Sequence, residues 1–95
     1  MKPLQTESLD RLMEVISDLE TKEECFRFFE DLCTVKELLD MAQRLDVAIM
    51  LRKGANYQTI AQQVNVSTAT ISRVSRCLNY GAGGYAEAIK KLKED

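Results

Sequence analysis

The sequence contains no histidine, which removes the commonest metal ligand and the commonest general base together. Cysteine occurs three times, at Cys25, Cys33 and Cys77. An odd set does not make the paired framework of small secreted domains, so free thiols in a reducing, cytoplasmic setting are expected. Proline occurs once, at Pro3, and three of the four glycines fall within residues 79–84. With 29% charged residues spread along the chain and no long polar tract, the composition is not that of a disordered segment. The longest apolar-rich run, Val47 to Leu51, is five residues, whereas crossing a bilayer takes about 20, so no membrane partner is expected. No segment alternates with period two. That leaves no strand candidate and predicts an all-α fold.

What is present fits a single helical domain over residues 1–95, with 45% apolar content. A lone chain of this length buries only about 60 to 65% of the surface its unfolded form exposes, so a second subunit would add core that one chain lacks. Leu9, Leu12, Met13, Ile16 and Leu19 mark one face of a first helix. Thr21 with Glu24, and Thr34 with Glu37, have the spacing of capping boxes, which starts two further helices near residues 22 and 35. The second places Cys25, Phe26, Phe29, Leu32 and Cys33 on one stripe, with the two thiols about 12 Å apart as small buried hydrophobes. From Val35 to Leu51, 11 of 17 residues are apolar, and toward the C-terminal end they occupy nearly every side. A helix apolar all round has to be buried all round, and a second copy of the chain is the natural cover. Gly54 ends that helix behind Arg52 and Lys53, two cations placed to favour its dipole. The glycines of the 79–84 run form a joint, and a short last helix starts at Tyr85 with Ile89 and Leu92 at helical spacing.

Charge is unevenly distributed. Residues 1–46 hold 6 basic and 12 acidic side chains, while residues 47–86 hold Arg52, Lys53, Arg73 and Arg76 and no acid at all. Within that basic stretch, residues 57–76 read YQTIAQQVNVSTATISRVSR. Ala61 is small enough for two helices to cross closely, Asn65 tolerates the left-handed turn between them, and Ser67 can accept the amide of Ala69 or Thr70 to cap the second. This is a helix-turn-helix over about residues 57–78, whose second helix enters the major groove of double-stranded DNA. With Ile71 and Val74 turned inward, Thr68, Ser72, Ser75 and Arg76 face outward and Arg73 lies toward the flank.

The stretches CTVKELLDMAQRLDVAIMLRKG and YQTIAQQVNVSTATISRVSRCLNYG resemble the Trp repressor superfamily, most of all its YerC-type, TrpR-related branch. The resemblance covers residues 26–85, and TATISR followed by RCLNYG is its most specific part. It implies about six helices in an intertwined homodimer, with paired reading helices one DNA turn apart; the Trp repressor is itself a reference case of this docking and of water-mediated base contact. Carried over, the DNA contacts fall on Thr68, Ala69, Thr70 and Ser72, joined by the cations Arg73 and Arg76. The ligand pocket falls on Arg44, to within one residue of register, and on Arg73, Val74 and Cys77. Tryptophan-binding members have glycine where this chain has Val74, and serine where it has Cys77. The resemblance therefore implies a sequence-specific DNA-binding regulator, a repressor, that does not use tryptophan as corepressor, with an unidentified small-molecule effector left open. No catalytic residue, metal or cofactor is expected, because no acid or other base is placed beside a thiol. The rival reading is a protein-interaction module that docks its acidic half onto another DNA-binding protein.

Overall fold

The computed structural model describes residues 6–92, which form six helices and no strand. They are α1 (Glu7–Ser17), α2 (Lys22–Leu32), α3 (Val35–Arg52), α4 (Tyr57–Val64), α5 (Thr68–Tyr80) and α6 (Gly84–Lys91). The chain divides into two compact units, one up to Leu38 and one from Leu39 onward. Pro3 lies outside the described residues.

In the first unit each helix start is set by a threonine three residues ahead of the amide it caps. Thr6 accepts from the Leu9 N–H at 3.1 Å and Thr21 from the Glu24 N–H at 3.0 Å. At Thr34 the box closes in both directions. The Glu37 N–H donates to the Thr34 hydroxyl at 3.1 Å, and the Thr34 N–H donates to the Glu37 carboxylate at 2.8 Å. These bonds, the backbone one above all, hold the Glu37 carboxyl below its ordinary pKa. The same box corrects the expectation for Cys33. Because Thr34 must stand extended ahead of α3, α2 stops at Leu32 and Cys33 is an extended cap residue (φ −117°, ψ 154°), so the two thiols do not share a helical stripe. Cys25 and Cys33 are also half-buried rather than buried. On α1, Leu9, Leu12 and Ile16 are half-buried, while Met13, at the edge of the same face, is 52% exposed. Phe28 and Phe29 meet edge to face, ring centres 5.5 Å apart. Neither α1 nor α2 has a fully buried residue.

The second unit has a closed core of Val47, Ala48, Ile60, Ile71 and Val74. Met50, Leu51, Ala55, Ala61, Val64, Val66, Tyr85 and Ile89 pack against it. Thus α3, α4 and α5 each contribute fully buried apolar residues, and α6 covers the core through Tyr85 and Ile89. Leu92 falls beyond the end of α6 and is half exposed. The all-round burial expected for α3 is not reached within one chain: Leu39 is 61% exposed, and Met41 and Leu45 are also exposed. α3 ends in a fixed turn. Gly54 takes φ +87°, its N–H donates to the Leu51 carbonyl, and the Ala55 N–H donates to the Met50 carbonyl, both at 3.0 Å. α5 ends at Gly81, where a Cβ would collide with the Cys77 carbonyl oxygen. Residues 79 and 80 therefore still belong to α5, and the joint between helices is confined to residues 81–83.

Candidate nucleic-acid interface

The turn between α4 and α5 is built by three local choices. Asn56 caps α4 by accepting the Thr59 N–H at 2.9 Å. Asn65 takes the left-handed conformation (φ 60°, ψ 51°) that lets the chain leave α4, and it is the lone non-glycine residue with positive φ among the described residues. Ser67 caps α5 by accepting the Thr70 N–H at 3.1 Å, and its hydroxyl lies 3.1 Å from that of Thr70. Behind the turn, Ile60 of α4 and Ile71 and Val74 of α5 are fully buried. Burial of this trio fixes which side of α5 faces out.

On α5, Thr68, Ala69, Ser72, Arg73 and Arg76 are exposed, and Thr70 is half-buried. Ser75, expected outside, is half-buried and accepts from the Asn79 amide at 3.4 Å. The exposed set combines small, mostly hydroxylic side chains, which suit base edges, phosphates and bridging water, with guanidinium groups that suit phosphate. The helix termini add to this. α1, α2, α3 and α6 each carry an acid in the first turn, whereas α4 and α5 carry none. The positive N-terminal ends of these two helix dipoles are therefore not offset by a carboxylate of their own.

Beside the turn lies a cavity of about 200 Å³ lined by Asp40, Gln43, Arg44, Thr70 and Arg73. The structure thus brings Arg44 and Arg73 to one place, as the residue correspondence required. It does not bring Val74 or Cys77 there. Val74 is 1% exposed and points into the core with Val47 and Ile71, because α5 needs an apolar residue three positions after Ile71 to stay on the core. Cys77 lies one turn further on, facing an open depression with Leu45, Gly81 and Tyr85. Val74 does not line the cavity beside Arg73, which is open. Asp40 and Gln43 were not anticipated at this site. Their signal was present in the spacing, since Asp40 stands one helical turn before Arg44 on α3. Gln43 also donates to the Val64 carbonyl at 3.4 Å, at the end of α4. Among the described residues no group of histidine, cysteine or carboxylate side chains is arranged to hold a metal, and no helix is long and apolar enough to cross a membrane.

The described residues are all helical and present a capped, core-anchored helix-turn-helix, the architecture of helix-turn-helix regulators. Residues 7–93 match the family described as Trp repressor protein, and the chain belongs to that family. It is 52% identical over 91 residues to the uncharacterized protein YerC of Bacillus subtilis, covering 96% of this chain and 88% of that one. Among solved structures, it is similar to a Staphylococcus aureus protein provisionally described as a Trp repressor (46% identity, TM-score 0.88, 93% of this chain and 88% of that one). It is similar too to a TrpR-like protein from Eubacterium eligens (44% identity, TM-score 0.87, 96% of this chain and 97% of that one).

Proposed function

We propose that this protein is a sequence-specific DNA-binding transcriptional repressor, acting in the cytoplasm as a homodimer that reads the major groove with α5. The observation that carries the reading is electrostatic. From residue 47 to residue 86 there is no acidic side chain, and the first turns of both α4 and α5 are free of acids, although the whole chain has a net charge of −2. Carboxylates near phosphate weaken DNA binding, so their absence suits a DNA-facing segment, whereas a packing-only helix pair has no such preference. In this reading Thr68, Ala69, Thr70 and Ser72 meet bases and nearby phosphates, and Arg73 and Arg76 meet the backbone.

The homodimer is supported by the exposed apolar residues of α2 and α3, notably Phe26, Leu32, Val35 and Leu39, which a second copy would cover. The proposed domain runs over residues 1–95, and the dimer sets two α5 helices about one DNA turn apart. Free tryptophan is not required for binding. The grounds are the residue types: Val74 stands where tryptophan-binding members have glycine, and the Cys77 thiol where they have a serine hydroxyl. A small polar effector remains compatible with Arg44 and Arg73.

The test is a gel shift against genomic fragments and then against a selected operator, across a salt series and without tryptophan. The parent chain should form a salt-sensitive complex. Arg76→Ala should weaken it on every sequence, and Ser72→Ala should change which sequence is preferred. Absence of any complex at low salt would overturn the reading in favour of a protein-docking module.

A further inference from the structure

Only two of the four charges between residues 47 and 86, Arg73 and Arg76, lie on α5. Arg52 and Lys53 stand at the end of α3, just ahead of α4. We infer that Arg52 and Lys53 form a second phosphate-contact point, a clamp on the DNA backbone carried by the α3–α4 turn rather than by the reading helix. The inference rests on the DNA-binding reading above and extends it to a segment that reading does not use.

The turn that carries the two cations is rigid. The Lys53 N–H donates to the Ile49 carbonyl at 3.1 Å, the next two amides return to Leu51 and Met50, and Ala55 packs on the core. Both side chains are exposed. A cation on a fixed turn does more than add to the general field: it sets the register of the protein on the duplex. Its place along the chain is also suitable. The turn leads directly into the cap residue of α4, and in helix-turn-helix docking the first helix lies across the phosphate backbone while the second enters the groove. α4 itself, YQTIAQQV, carries no charge, so it holds neither a cation to grip phosphate nor an acid to repel it. The neutral side chains and N-terminal amides of α4 can touch phosphate, but a full positive charge on this flank has to come from a neighbouring segment, and Arg52 supplies a planar guanidinium suited to two phosphate oxygens.

Cations in the last turn of a helix also favour its dipole without any DNA. That role changes stability and leaves the salt dependence of DNA binding untouched, so the two are separable. The experiment measures binding of the full chain to a mixed-sequence duplex about three helical turns long over a salt series, with thermal unfolding as a parallel readout. Arg52→Gln should lower the log-log salt slope by about 0.9, and Arg52→Gln with Lys53→Gln by about 1.8, with binding weakened evenly across sequences. Arg52→Lys should keep the parent slope. If Arg76→Gln lowers the slope while neither variant at 52 and 53 does, the clamp is overturned and the DNA-binding reading stands. If the parent chain binds no duplex at low salt, the DNA-binding reading fails and the clamp with it. Should the double variant melt early, the single Arg52→Gln decides the matter alone.

Discussion

Among the described residues, the five that are fully buried lie after residue 38, whereas α1 and α2 are amphipathic helices that bury none fully. Charge divides in the same sense: acids outnumber bases two to one before residue 47 and are absent from 47 to 86. The contrast separates two tasks. The later part carries the scaffold, in which Val47, Ala48, Ile60, Ile71 and Val74 form the core behind the helix-turn-helix. The earlier part carries apolar stripes with too little of its own chain to cover them, which is the condition under which a second copy contributes core. In the proposed assembly the acidic part makes the dimer and the basic part meets the DNA.

The largest expected effect lies in the scaffold. Ile71→Ala removes a fully buried side chain that links α5 to the core, and it should cost about 2 to 5 kcal/mol. Thermal unfolding should report a midpoint lower by on the order of 10 °C or more. Wild-type stability in this variant would mean that the core is not what supports α5. Next comes the contrast between the parts. Leu39→Glu places a charge on an exposed apolar position of α3, and if a second copy covers that position the dimer should weaken by at least about 100-fold. Sedimentation at micromolar concentration should then give the single-chain mass for the variant and twice that for the parent. An unchanged mass would remove Leu39 from the subunit contact.

A smaller effect tests the turn. Asn65→Ala should cost about 1 kcal/mol, since a Cβ without a polar side chain is disfavoured in the left-handed region, whereas Asn65→Gly should be neutral or slightly stabilising. Chemical denaturation of the two variants gives the comparison, and equal stabilities would show that φ strain at this position is negligible. The smallest effect belongs to the acidic part. Because the folded-state pKa of Glu37 is lowered, its contribution is complete above the unfolded carboxylate value and is lost as pH falls through the folded one. Glu37→Gln keeps a capping oxygen but cannot titrate, so the decline in stability as pH falls below the ordinary carboxyl value of 4.5 should be shallower than in the parent. Parallel pH profiles would sever the link.

Much of this was legible in the sequence because caps and turns are local. Thr21 with Glu24, Thr34 with Glu37, and Asn65 followed by Ser67 act over one to three residues, so their spacing alone placed the starts of α2, α3 and α5 and the left-handed turn. The helix-turn-helix was expected over about residues 57–78 and spans Tyr57–Tyr80. The misplacement of Cys33 came from periodicity continued past the next cap, a case of one local signal overruling another. The candidate cavity was legible only in part. Arg44 and Arg73 were paired through resemblance, and Asp40 and Gln43 precede Arg44 within one turn of α3, but Thr70 had no reason in spacing to meet them there.

The sequence by itself determined the number and kind of elements, the charge contrast between the two parts and the residues that open α2, α3 and α5. Tertiary structure decided what lies beside what. Arg44 and Arg73 are 29 positions apart and share a cavity only through the packing of α3 with α5. Val74, adjacent to Arg73 in the chain, turns away into the core for the same reason. Successive residues on a helix point about 100° apart, so neighbours in sequence part company once one face is committed to burial.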